Sequence, residues 1–152
     1  MPRLEPFAGI RYSSTELRDL ICPPYDIISP DLQHRLYDRD PRNAVRLELA
    51  RGEGEERYRS AAATFDEWLD DGTLTVDEPS LYVYRQDFVG PDGDRRRVVG
   101  VIGALTLEPF GRDAGVLPHE RTMPGPKKDR LALMRACPVN VSPIYAIYRG
   151  SG

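Results

Sequence analysis

LYVYRQDFVGPDGDRRRVVGVIGALTL, residues 81–107, decides how the chain folds. Leu81–Val89 and Arg97–Leu107 both read as strands. Gly90-Pro91-Asp92-Gly93-Asp94 lies between them and has turn chemistry. Proline presets one φ, and glycine supplies a positive one. The two runs therefore pair as a hairpin. The second, VVGVIGALTL, is apolar on both faces, which predicts a central strand covered on both sides.

The elements around this hairpin follow from periodicity. From Glu55 to Asp70, Tyr58, Ala62, Phe65, Trp68 and Leu69 recur at helical spacing, and Asp71-Gly72 ends the run with a C-terminal glycine. Ser29-Pro30 reads as an N-cap with proline at the first helical position, followed by Leu32 and Leu36 and closed by Pro41. Ser13 and Glu16 have the spacing of a capping box before Leu17, Leu20 and Ile21, which predicts a short helix ending before Pro23-Pro24. NAVRLEL, residues 43–49, alternates: Val45, Leu47 and Leu49 on one side, Arg46 and Glu48 on the other. That pattern predicts a half-buried strand. A helix is expected from about Pro126 to Ala136, and PIYAIY, Pro143–Tyr148, is expected as a buried final strand. The order predicts an α+β fold: a mixed β-sheet with a central hairpin and helices packed against it, in one domain over residues 1–152. The abrupt end after an apolar strand suggests the N-terminal part of a longer protein.

Composition limits the function. The chain has 152 residues, 40% hydrophobic and 30% charged, with a net charge of -3. That balance disfavours broad nucleic-acid binding, which needs a basic face, but leaves room for a local basic pocket. The 14 prolines and 13 glycines predict many turns and short elements. No run is long and apolar enough for a membrane span, and no signal core opens the chain, so a cytoplasmic location is the expectation. Cys22 and Cys137 lie in no C-x-x-C or Cys/His cluster, so no zinc site is expected. Reduced thiols are expected.

The chemistry concentrates in LPHERTMPGPKKDRLALMRA, residues 117–136. Lys127 and Lys128 are the only lysines of the chain. With Gly125 as N-cap and Pro126 at the first helical position, they would fall in the first turn of the last helix. The free N–H groups and the positive dipole end there favour an anion. Arg121 and Arg130 would add fork-shaped donors. The plainer alternative is a solvated helix face. His119 and Glu120 are candidate acid/base groups, although neighbours on an extended chain point apart. Pro23-Pro24 would hold Tyr25 and Asp26 at a fixed angle, with Asp26 taking a hydroxyl, a metal or an arginine, or else capping a helix. Asn43 with Arg46, and Asn140 with Ser142, flank the expected strand edges.

Five ordered stretches, Phe7–Tyr12, Pro23–Ser29, Asn43–Glu48, Leu117–Thr122 and Asn140–Ile144, together resemble the N-terminal part of a prokaryotic family known as domain of unknown function 1015. The resemblance covers nearly the whole chain and implies a longer parent protein. It carries no established activity. Its motifs PPYD, N-x-V-R-L-E and HE-x-T fall on Pro24, Tyr25, Asp26, Asn43, Arg46, Glu48, His119, Glu120 and Thr122. A histidine–arginine loop followed by a helix and an apolar strand is also similar to the phosphate-binding end of the ParB/sulfiredoxin-like fold. Free-serine kinases and nucleotide-binding partition proteins share that fold. Here Pro118 precedes His119, and Glu120 separates it from Arg121, so that signature is not intact.

The expected function is binding of a phosphorylated or nucleotide-like anion. Arg121, Thr122, Lys127, Arg130, Tyr25, Asn43 and Arg46 would bind it, and His119, Glu120 and Asp26 would be catalytic if the chain is a phosphotransferase. Neither G-x-x-x-x-G-K-[ST] nor G-x-G-x-x-G occurs, which disfavours a P-loop or a Rossmann site. The sequence names no cofactor and no set of metal ligands. The competing expectation is a non-catalytic regulatory or scaffold module that contacts the C-terminal part of its own protein.

Overall fold

A computed structural model describes residues 2–110, 114–119 and 123–148. Their contacts form two compact units, Met1–Arg11 with Thr75–Arg121, and Tyr12–Leu74 with Thr122–Gly152. The architecture is α+β.

The helical unit contains α1 (Pro30–Arg39), α2 (Val45–Glu48), α3 (Glu56–Asp70) and α4 (Pro124–Ala136). α1 starts as its sequence predicts, with Ser29 Oγ accepting the Leu32 N–H at 3.2 Å and Pro30 in the first turn. α3 buries Ala61, Phe65 and Trp68 against Leu47, Leu74, Leu133 and Cys137, and this cluster is the main core. Gly72, at φ 75°, ends α3. The Asp71 N–H closes that last turn on Glu67 O at 2.9 Å, and the Gly72 N–H on Leu69 O at 3.3 Å. A smaller cluster joins Ile28, Leu36 and Val45.

NAVRLEL is not a strand. Residues Val45–Glu48 form the single turn of α2, preceded by an Asn43 that is fully buried. Asn43 Oδ1 accepts the Val45 N–H at 3.0 Å, while Nδ2 donates to Asp19 O at 2.8 Å and Ile21 O at 3.1 Å. The alternation has another cause than a pleat. Val45 belongs to the small cluster and Leu47 to the main core, so this short turn is apolar towards two different cores.

The capping-box helix is also absent. Residues 14–20 form no helix, with a bend at Thr15 and a turn over Arg18, Asp19 and Leu20. Ser13 Oγ donates to Gly72 O at 2.7 Å instead of capping, and Ser14 Oγ accepts the Glu16 N–H at 3.0 Å in a local turn. That competing hydrogen bond is the usual way serine diverts a helix start.

The other unit is built of β-strands. β1 (Leu4–Glu5) pairs antiparallel with β6 (Ala104–Leu105), and β4 (Tyr82–Val89) pairs antiparallel with β5 (Arg95–Ile102) in the register Tyr82↔Ile102 to Val89↔Arg95. β2 (Ile10–Tyr12) and β3 (Leu74–Val76) make a third two-stranded pair. The hairpin turn closes as expected, with Gly93 at φ 87° and its N–H on Gly90 O at 2.9 Å. Phe7 and Ser80 bridge in both directions at 3.1 and 3.0 Å, and the Phe7 and Tyr82 rings lie 5.2 Å apart. The Gly9 N–H donates to Tyr82 Oη at 2.9 Å. A Cβ on Gly9 would overlap the Tyr82 hydroxyl and ring.

Two expectations about burial are corrected. β5 is not covered on both faces: Val99 is 62% exposed, and its neighbours on the same face, Val83 and Val101, are also open. With one partner strand and, among the described residues, nothing packed on that face, apolar content alone did not bury it. Pro143–Tyr148 forms no strand, and Ile144 and Ile147 are exposed. Among the described residues, no helix is long and apolar enough to cross a membrane.

Asn43→Ala leaves two carbonyls and one N–H unpaired in a buried place and is expected to cost about 3 kcal/mol, read from chemical denaturation. Gly9→Ala is expected to cost about 1–3 kcal/mol through overpacking on Tyr82, and Tyr82→Leu in the same chain should recover part of it.

Candidate functional site

Three of the predicted motifs meet at Arg130, in the second turn of α4. Its guanidinium lies over the Tyr25 ring, with Cζ 4.0 Å from the centroid. Nη1 donates to Glu48 Oε2 at 2.9 Å, and Nη2 to the Glu48 backbone oxygen at 3.0 Å. Nε and Nη2 both reach Asp129 Oδ2, at 3.0 and 2.6 Å. Ser142 Oγ donates to the other Glu48 oxygen, Oε1, at 2.6 Å. Tyr25 comes from the three-residue 3₁₀ turn Tyr25–Ile27 behind Pro23-Pro24, Glu48 from the end of α2, and Ser142 from the segment after α4.

Asp129 extends the network to α3. Its Oδ1 accepts from Arg57 Nη2 at 2.5 Å and from Tyr58 Oη at 2.8 Å. Two guanidiniums therefore face two carboxylates. The Arg130 and Glu48 side chains are only 19% and 14% exposed, so the pairing is partly desolvated and geometrically specific. The adjoining cleft, lined by Leu47, Glu48, Ala50, Arg57, Tyr58 and Leu133 among others, has room for about one water molecule. A charge-balanced network of this kind orients helices and leaves no free cation for a ligand. Arg130 is a structural clamp, not the fork-shaped anion donor expected from the sequence.

Burial alone would raise the Asp129 carboxyl. Hydrogen bonds from Arg130 and Tyr58, with the charges of Arg130 and Arg57, outweigh it and hold the group below its ordinary value. Burial, with a smaller push from the Glu48 charge, raises the Cys22 thiol to about 11. Cys22 is therefore a thiol at neutral pH and a poor nucleophile.

The start of α4 also differs from expectation. Met123 is the N-cap and Pro124 the first helical residue, so Gly125 and Pro126 lie inside the first turn. Pro124 and Pro126 have no N–H, and the Lys127 N–H already reaches Met123 O at 3.4 Å. Gly125 alone keeps a free first-turn amide, so the expected row of donors is not there. Lys127 and Lys128 are exposed and form no ion pair among the described residues.

The remaining candidates are dispersed. Asn43 is an internal brace rather than a ligand group. Arg46 lies over the Tyr37 ring and donates to Tyr37 O at 3.0 Å. Asp26 is exposed on its turn, and His119 is exposed in the segment before α4. Glu120, Arg121 and Thr122 lie outside the described residues. Among the described residues, no cluster of three His, Cys, Asp or Glu side chains is placed to hold a metal ion. Sequence reasoning missed Arg57, Tyr58 and Asp129. Their only signal was an acid beside Arg130 and an exposed-looking arginine opening α3.

The Asp129 shift fixes a sign. A carboxyl held low in the folded chain adds stability above its unfolded value, near 3.9, and that stability is lost as pH falls through the folded value. Thermal melts of the parent chain should show an acid limb below about pH 4 that is shallower in Asp129→Asn, whose midpoint at pH 7 should also drop.

A family model described as "Protein of unknown function (DUF1015)" matches residues 4–152. No curated protein matches the chain, and no solved structure does. With the match running through the Tyr25, Glu48 and Ser142 motifs that Arg130 gathers, the chain belongs to the DUF1015 family.

Proposed function

We propose that the chain binds a phosphorylated anion, of the size of a sugar phosphate or nucleotide, at the start of α4. One observation carries this reading. Lys127 and Lys128, the only lysines of the chain, are exposed at the positive end of the α4 dipole with no acid in the first turn. α1 and α3 both place an acid in that turn, Asp31 and Glu56. Two cations at a helix N-terminus, in no ion pair among the described residues, are locally unfavourable, and an anion reverses the penalty. Because prolines remove two of the amides, the lysines act as point charges rather than as accessories to a backbone cradle.

His119, Glu120, Arg121 and Thr122 precede this helix start in sequence. If the bound group reacts, phosphoryl transfer is the chemistry that needs mainly positioning and charge neutralisation. His119 and Glu120 then stand as the acid/base candidates, and Arg121 and Thr122 as the ligand candidates, of the segment before the helix. The two unbridged cysteines, Cys22 and Cys137, agree with a cytoplasmic setting.

The open valine face of the hairpin favours a second reading, a module that docks on a further part of its own protein. Val83, Val99 and Val101 lie together on that face and are all exposed, and contiguous apolar exposure marks interaction surfaces.

A thermal-shift panel of nucleotides and sugar phosphates, run on the full-length protein, tests the first reading. At least one member should raise the midpoint, and Lys127→Ala with Lys128→Ala should reduce the apparent affinity about tenfold. No stabilisation by any phosphorylated compound would overturn it. The docking reading instead predicts slower amide exchange of β4 and β5 in the full-length protein than in residues 1–152 alone.

A further inference from the structure

We infer that β4 is a self-pairing edge. Its outer side takes the β4 of a second copy of this chain, antiparallel about a two-fold axis at Gln86, so that two hairpins become one continuous sheet. The contact uses the edge of the strand, not the valine face or the lysine pair, and stands independently of both.

The edge is open, and the direction of its bonding groups follows from the turn. Among the described residues β4 pairs with β5 and with no other strand. Val83–Val89 are all exposed, and no proline interrupts them. The Gly90 N–H donates to Asp94 O at 2.8 Å, which makes 90 and 94 a hydrogen-bonded pair beside the turn. Alternation along the antiparallel ladder then turns the N–H and C=O groups of Tyr82, Tyr84, Gln86 and Phe88 towards β5. Those of Val83, Arg85, Asp87 and Val89 point the other way, to the free edge. A two-stranded hairpin is marginally stable in water, and an unblocked edge is a template for another strand.

The side chains identify the occupant. Residues 83–89, Val-Tyr-Arg-Gln-Asp-Phe-Val, are complementary to their own reversal. Centred on Gln86, an antiparallel copy sets Val83 opposite Val89, Tyr84 opposite Phe88 and Arg85 opposite Asp87, each pair occurring twice. Opposite charges, aromatic pairs and valine pairs are all favourable across a ladder. The backbone agrees. Val83 with Val89, and Arg85 with Asp87, join outward-facing residues, so both fall on hydrogen-bonded positions, with about eight main-chain bonds between the copies. Registers shifted by two residues also satisfy the backbone, but they set Arg85 against Arg85 of the copy, or Asp87 against Asp87, where like charges repel. The outer edge of β5 lacks this symmetry. Its outward positions are Arg95, Arg97, Val99 and Val101, so within the strand no reversal meets an arginine with an acid.

The charges can be reassigned at little cost. In one chain Asp87 Oδ1 accepts from Arg97 Nε at 2.5 Å, and Oδ2 lies 3.3 Å from Arg85 Nε. The first contact runs across the hairpin, where Asp87 and Arg97 are register partners, and stays. The second joins two exposed side chains of one strand and is worth little, so Arg85 is able to turn to Asp87 of the second copy. A two-fold axis perpendicular to the sheet keeps each face on its own side, and the contact is isologous and closed.

Sedimentation of the full-length protein over a concentration series should show a monomer–dimer equilibrium. Arg85→Asp and Asp87→Arg each oppose like charges at both pairs and should weaken it about tenfold or more. Mixed in equal amounts, the two variants again set opposite charges across every pair and should associate about as well as the parent. Gln86→Cys leaves the charge pattern alone. Its two copies face each other on the axis with Cα atoms about 4.5 Å apart, so it should oxidise to a linked dimer, whereas Tyr84→Cys, opposite Phe88, should not. Amide exchange at Val83, Arg85, Asp87 and Val89 should slow as protein concentration rises. A protein that stays monomeric up to about 1 mM, an Arg85→Asp chain that dimerises as the parent does, or a Gln86→Cys chain no more cross-linked than Tyr84→Cys would overturn the inference. Protection of the four amides that ignores concentration would also overturn it, by giving the edge to another segment of the same protein.

Discussion

The Glu48–Arg130 pair, at 2.9 Å and largely shielded from water, is the constraint on which the helical unit depends. Its two partners are 82 residues apart in the chain. Arg130 takes Glu48 twice, through side chain and backbone, and presses on Tyr25 from the other side. Leu47 of α2 and Leu133 of α4 belong to the same main core. Burial brings α2 and α4 together without direction, and the charge network sets their angle and register. Removing one partner would strand the other charge where solvent reaches it poorly, so each member is held in place by the rest.

That network reassigns several residues between structure and function. Arg130 and Asn43 had a functional reading in the sequence and have a scaffolding role in the fold. Lys127 and Lys128 are exposed and form no ion pair among the described residues. The useful distinction is whether a charge is already answered inside the protein. By that measure Arg57 and Arg130 are internal, each answered by a carboxylate at 2.9 Å or closer.

Legibility followed the range of the forces involved. α1, α3 and the hairpin were readable because their signals are local: Ser29-Pro30, a 3.6-residue apolar period, and Gly93 in a tight turn. α2 was misread because period-two alternation carries two meanings, a pleat or a short turn wedged between two cores, and only tertiary contacts separate them. The start of α4 was misplaced by two residues because Pro124 and Pro126 are both acceptable at a helix opening. β5 and Pro143–Tyr148 showed the limit of composition: apolar residues predict burial only when a covering layer exists. For the candidate site, PPYD, N-x-V-R-L-E and the Ser142 segment were visible as separate motifs. Their convergence on Arg130 was not, since no spacing rule links positions so far apart.

Gly9 and Tyr82 carry a consequence of another kind. The phenol oxygen sits where a side chain at position 9 would begin, and it takes up the Gly9 amide at 2.9 Å. Neither residue can change alone without either a collision or a stranded donor. Across relatives these positions should therefore covary, a smaller partner at 82 licensing a larger one at 9. Such a coupled pair would mark, in an alignment, that the FAGIRY segment and the first residue of β4 pack together in every member that keeps this arrangement.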